Sequence, residues 1–189
     1  MKILLLMPPC PPGMVYPSSV HPRLFPPLGI GYVASILERL GHEVFVSDLY
    51  LQKWSSILDV LRVRSYDVIG VSCLFPSRTG IHAAIELVHK LQPRARIVLG
   101  GPFATVMADR FLENPAVAAV AIGEAESTVP KLMEVLAGGG DLSGVKGIAF
   151  RSTDGQIVHT PRQEFIQDLD SLPFPAFHLY DLRSYRRFW

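Results

Sequence analysis

The residues with the chemistry to hold a ligand stand in five short stretches, each following an apolar run. They are Pro8-Pro9-Cys10, Asp48-Leu49-Tyr50, Ser72-Cys73-Leu74-Phe75, Gly100-Gly101-Pro102-Phe103 and Gly123-Glu124-Ala125-Glu126. Gly100-Gly101 carries no side chains, so a ligand can approach the backbone closely there, although a tight turn would use the same glycines. The Ser72 hydroxyl can bond a buried heteroatom or a strand-end backbone group. Leu74, Phe75, Phe103 and the prolines of the first stretch can floor or wall a pocket. Cys73 suits the core as a small hydrophobe, and Cys10 reads as exposed and incidental. Glu124 and Glu126 either open a helix, whose positive end favours carboxylates, or reach the amides of a ligand. Together these side chains suit a large, flat, mostly apolar ligand.

Other chemistries lack their residues. A dinucleotide site wants G-x-G-x-x-G after the first strand, where a proline-rich stretch with the single glycine Gly13 stands instead. A phosphate loop in that place would need Ser, Thr and Gly donors. A phospho-accepting aspartate would end the third strand, where Ser72-Cys73-Leu74 is found. The six histidines, His21, His42, His82, His89, His159 and His178, show no metal-ligand spacing. Two cysteines exclude both a disulfide scaffold and an all-cysteine metal or iron–sulfur site held by these residues alone. Eighteen Lys and Arg balance 17 Asp and Glu, which argues against a nucleic-acid partner. Mean hydropathy is +0.27, yet no apolar run reaches the length of a membrane span. The run Ile3–Met7 stops at Pro8-Pro9, short of a signal peptide, so a cytoplasmic location is expected.

The elements that must position these stretches follow from periodicity. Residues 2–7, 43–48, 67–73, 96–99 and 117–122 are short apolar runs that predict buried strands. Helical spacing follows each: Ile30, Val33, Ala34 and Leu37; then Trp54, Ile57, Leu58 and Leu61; then Ile81, Ala84, Ile85 and Val88. A shorter helix is expected over 106–112, and a last one with Val129, Leu132, Met133 and Leu136 ends at Gly138-Gly139-Gly140. Strands alternating with helices predict an α/β fold: a doubly wound, flavodoxin-like or Rossmann-like five-stranded parallel sheet, order 2-1-3-4-5. In such sheets ligands bind beyond the carboxyl ends of the strands, where the five stretches lie.

After the glycine run the pattern changes. Residues 147–150 and 156–159, joined by Ser152-Thr153-Asp154-Gly155, predict a C-terminal β-hairpin. From Asp168 the chain is rich in Pro and aromatics without a period, as in a segment that lies against something else. We therefore divide the chain into a binding domain over 1–140, a hairpin extension over 141–167 and a linker over 168–189. The eight prolines between Pro8 and Pro27 would lower the entropy cost of ordering a lid over the ligand.

Ser72-x-Leu74 followed by Gly100-Gly101 one βα unit later resembles the S-x-L…G-G pair of the cobalamin-binding fold. More narrowly, GGPFAT (Gly100–Thr105), AIGEAE (Ala121–Glu126), PPLGIGYVASILERLGHEV (Pro26–Val44) and LDSLPFPAF (Leu169–Phe177) are similar to the N-terminal B12-binding domain of cobalamin-dependent radical S-adenosylmethionine enzymes. The resemblance covers essentially the whole chain, its motifs individually loose and specific in their order. It implies a cofactor site at Ser72, Cys73, Leu74, Phe75, Gly100, Gly101, Pro102, Phe103, Gly123, Glu124 and Glu126, with no catalytic or metal-ligating residue in this chain. Mutases and methionine synthases of the wider fold carry D-x-H-x-x-G after the second strand; here Asp48 is followed by Leu49, Tyr50, Leu51, Gln52 and Lys53. The resemblance thus implies base-off cobalamin without a protein histidine on cobalt. Phe103 also replaces the histidine of the subgroup's usual GGPH. The C-x-x-x-C-x-x-C motif for a [4Fe-4S] cluster is absent; it would lie downstream of Trp189, in a radical domain that partners this one within a longer protein and cleaves S-adenosylmethionine. The implied function is the cobalamin module of such an enzyme, a methyltransferase or a related radical transformation of an unactivated carbon. The alternative is a non-catalytic sensory or small-molecule-binding module.

Overall fold

The structure is a computed structural model that describes residues 1–9, 25–49, 51 and 55–185. Its strands are β1 Lys2–Met7, β2 Glu43–Asp48, β3 Val68–Ser72, β4 Arg96–Gly100, β5 Val117–Ala121, β6 Ile148–Arg151 and β7 Ile157–His159. Its α-helices are α1 Leu28–Arg39, α2 Ser56–Val63, α3 Arg78–Leu91, α4 Pro102–Val106, α5 Ala108–Leu112, α6 Ala125–Gly138 and α7 Leu182–Tyr185. The seven strands form one sheet of order β2-β1-β3-β4-β5-β6-β7. The first five strands run parallel in the expected order. The hairpin joins that same sheet, with β6 antiparallel to β5 (Val120 opposite Ala149) and β7 antiparallel to β6.

Burial on both faces explains the continuous apolar runs. Successive side chains alternate between two cores. Leu4, Leu6, Ile69, Val71 and Leu99 pack with α2, α3 and α5; Ile3, Leu5, Val68 and Val98 pack with α1 and α6. Between Ile97 and Val98 the β4–β5 register shifts, so Val98 faces Ala119 rather than Ala118. The extra β5 residue puts Val117 and Ala119 in opposite cores.

One helix departs from expectation. The predicted helix over 106–112 is two short ones, α4 and α5, broken at Met107, and helical geometry begins at Pro102 directly after the strand. Proline suits that first position, where its missing N–H costs no helical bond. Helix α3 stops at Leu91, two residues before Pro93, because proline disfavours helical geometry in the residue before it. The α6 stop is as read: Gly139 caps it in the left-handed region, φ 65°.

Candidate functional site

A cleft of about 510 Å³ opens at the carboxyl ends of β3 and β4 and runs down between α1 and α6 onto the sheet. Its floor combines apolar strand residues, Leu5, Met7 and Val98 among them, with small ones nearer the strand ends. Gly70 and Ser72 of β3, Gly100 of β4 and Ala121 of β5 line it, with Ser72 paired to Gly100 across the strands. Side chains of ordinary size there would fill the slot. A β-carbon on Gly100 would meet only Ala121 Cβ at 3.9 Å, so the space above it is open to a ligand. Pro27, Ile30 and Val33 form the α1 wall; Ala125, Glu126 and Val129 form the α6 wall.

Of the residues singled out in the sequence, the cleft is lined by Ser72, Leu74, Gly100, Gly101, Pro102, Gly123, Glu124 and Glu126. Cys73, Phe75 and Phe103 are not brought to its wall. Cys73 is one residue out of phase with Ser72 and is fully buried in the opposite core, where burial pushes its thiol up to about 12. Phe103 turns under the same face because α4 starts at once. Its ring meets Phe75 at 5.4 Å and Phe111 at 5.6 Å, both edge-on. The outer side of Phe75 remains exposed.

Gly101 has a distinct role. Its φ of +98° is open to glycine, and a β-carbon would lie 2.9 Å from the Cys73 carbonyl oxygen. That carbonyl accepts the Phe103 N–H at 3.2 Å, while Cys73 N–H donates to the Gly100 carbonyl at 2.7 Å. Gly101 therefore permits the close approach by which Gly100 and Phe103 bond the β4 turn to Cys73 at the end of β3, besides bordering the cleft.

Glu124 is engaged as well: its Oε2 accepts the Ile166 N–H at 2.9 Å. Asp48, at the end of β2, accepts the Tyr185 hydroxyl at 2.8 Å. Sequence reading missed Gly70, whose signal is a glycine inside an otherwise apolar strand. Its β-carbon would strike Leu5 Cδ2 at 2.8 Å. Cys10, Tyr50 and most of the proline-rich stretch lie outside the described residues. Among the described residues no group of three His, Cys, Asp or Glu is placed to hold a metal ion. No helix among them is long and apolar enough to cross a membrane.

Fold and cleft together define a doubly wound α/β module with a mostly apolar ligand cleft at the carboxyl ends of its strands. A family model of the B12 binding domain matches residues 21–133. The chain belongs to that family. It is 28% identical over 204 residues to cytidylyl-2-hydroxyethylphosphonate methyltransferase of Streptomyces wedmorensis, covering 87% of this chain and 38% of that protein. It is 33% identical over 193 residues to the anaerobic magnesium-protoporphyrin IX monomethyl ester cyclase of Synechocystis sp., covering 98% and 37%. The chain thus spans about two fifths of the length of these relatives. Among solved structures it resembles the cobalamin-dependent S-adenosylmethionine radical enzyme OxsB with aqua-cobalamin bound, with TM-score 0.79, 19% identity and coverage of 99% and 25%. It also resembles the radical S-adenosylmethionine methyltransferase TsrM from Kitasatospora setae with cobalamin and a [4Fe-4S] cluster, with TM-score 0.70, 20% identity and coverage of 93% and 31%. At these identities the structural likeness shows the fold. The family match favours the cofactor module over the sensory alternative.

Proposed function

We propose that this chain holds base-off cobalamin in the cleft between α1 and α6 and is the cobalamin module of a radical S-adenosylmethionine enzyme, with a methyltransferase the favoured activity. The observation that carries the reading is the group of small floor residues, Gly70, Ser72, Gly100 and Ala121, under a cleft of about 510 Å³. The slot fits a flat aromatic group pressed against backbone and shielded from water by the apolar helix faces. In this reading Ser72 offers its hydroxyl to the nucleotide tail of the cofactor. Leu74, Gly100, Gly101, Pro102, Gly123 and Glu126 border the tail where it enters, and exposed Phe75 faces the macrocycle.

The cofactor would supply a cobalt-carried methyl group or a related one-electron chemistry; the protein supplies position and exclusion of solvent. No imidazole follows Asp48 at the spacing that would bring one to cobalt, and the Asp48 carboxylate takes the Tyr185 hydroxyl. The [4Fe-4S] cluster and S-adenosylmethionine belong, in this proposal, to a further domain of a longer protein, with this domain in the cytoplasm.

The test is anaerobic incubation of the purified chain with hydroxocobalamin, followed by gel filtration and an absorbance spectrum. Co-elution with a base-off spectrum is expected. A spectrum reporting nitrogen coordination from the protein would overturn the base-off assignment, and separation of protein from cofactor would count against the site.

A further inference from the structure

The segment that follows β7 touches both walls of the cleft. Pro161 accepts the Gly147 N–H at 2.9 Å, and Ile166 then donates its N–H to Glu124 Oε2 at 2.9 Å at the head of α6. The chain continues to α1, where Ala176 donates its N–H to the Gly31 carbonyl at 3.0 Å. The Tyr180 hydroxyl donates to the Pro27 carbonyl at 3.0 Å, and His178 Nε2 pairs with Glu38 Oε1 at 2.9 Å. Tyr185 closes on Asp48 at the sheet edge. Glu124 and Pro27, two of the anchors, themselves line the cleft on opposite sides.

We propose that residues 161–185 form a strap that holds α1 and α6 at a fixed separation, and that Glu124 is its buckle, a positioning residue that acts through the strap rather than a contact to the cofactor. As a statement about the cofactor site this rests on the reading above; as a statement about the walls it does not. Three observations support it. The Glu124 carboxylate, which from sequence had a helix start or a ligand amide to choose between, has a backbone N–H of the strap at hydrogen-bond distance. A charge-assisted bond of this kind is stronger than a neutral one. The α1 side is shaped for close approach: a β-carbon on Gly31 would sit 2.9 Å from Pro175 Cβ and 3.6 Å from its Cα. Finally, Ala176, Tyr180 and Tyr185 are buried in the same core as Ile30 of α1 and Val129 of α6, while residues 167–171 between the two anchorages are exposed.

The two wall helices also pack directly on each other, so the strap adds to that contact, and its release lets the walls move about it. The consequence is read without any cofactor, by two measurements on the chain and its Glu124→Ala and Glu124→Gln variants. Hydrogen exchange at the Ile166 amide reports the buckle. Distances between nitroxides at Arg39→Cys and Lys131→Cys, both exposed positions on the two helices, report the wall separation in a Cys10→Ser background. Cys73 is too buried to be labelled. We expect Glu124→Ala to speed exchange at Ile166 about tenfold and to broaden the distance distribution. Glu124→Gln, which keeps an acceptor oxygen, should restore most of both. Gly31→Ala, which leaves Glu124 in place, should broaden the distances from the other end of the strap. Unchanged exchange in Glu124→Ala would remove the buckle, and unchanged distances with faster exchange would remove the spacing role. Because neither readout contains cobalamin, failure of the cofactor reading and failure of the strap are seen separately.

Discussion

Ser72 and Cys73 adjoin in the chain, yet the pleat sends one to the ligand cleft and the other into the opposite core. Their chemistry diverges accordingly. The thiol of Cys73, buried and raised to about 12, should resist iodoacetamide at pH 8 in the folded protein and react once urea unfolds it; labelling at an equal rate in both states would contradict this. The same shift predicts a pH effect on stability. The unfolded thiol loses its proton near its ordinary value of 9.0 while the folded one keeps it to about 12, so stability should fall as pH rises between those values. Gly100 and Gly101, equivalent as letters, should also separate. Gly101→Ala forces a β-carbon against the Cys73 carbonyl at a positive φ and should cost about 1–3 kcal/mol in urea unfolding. Gly100→Leu points into open cleft, so the melting temperature should hold while cobalamin affinity drops about tenfold or more in a titration. Reading the two glycines as one backbone-contact site was possible from sequence; telling the structural one from the lining one needed φ and the neighbouring strand.

Among the elements, α1 shows how helical preference yields to packing. Gly31 lies within the helix, where alanine would ordinarily add about 1 kcal/mol. Pro175 occupies the space that the methyl would take, so Gly31→Ala should gain little or nothing in thermal unfolding and should loosen the Ala176 amide to exchange. At the far end of the strap, Tyr185→Phe deletes the hydroxyl that Asp48 accepts in a buried setting. A loss of about 1–2 kcal/mol by urea denaturation is expected. The helices themselves were legible because apolar residues recur with the helical period. The terminal segment 168–185 was legible only as aperiodic and apolar; what it lies against follows from long-range contacts such as Tyr180 to Pro27, which no local pattern encodes.

At the scale of the whole molecule, a ligand that binds the folded chain alone must raise its stability. Hydroxocobalamin at one hundred times its dissociation constant should add about 2.7 kcal/mol, which is roughly 5–10 °C in melting temperature for a chain of this size. No shift at saturating cofactor would count against the cleft as its site. From the sequence alone the buried strands and their covering helices were readable, because each leaves a local periodic signature. Strand order and the place of the cleft followed from the handedness and ligand rules of doubly wound sheets. Tertiary structure decided which of the strand-end residues line that cleft and which turn away from it, as Ser72 and Cys73 respectively do. The register shift at Ile97/Val98 turns Ala119 and Ala121 to the ligand side while Val117 faces the other core. The hairpin was readable as a hairpin, but its docking on β5 is a pairing between distant segments. Likewise the carboxylate of Glu124 had two local readings, and its bond to Ile166, 42 positions further along the chain, depends on the chain folding back on itself. Facing and pairing are set by contacts distant in sequence, which is why the sequence could locate the site and name many of its strand-end residues but not separate those that line it from those that turn away.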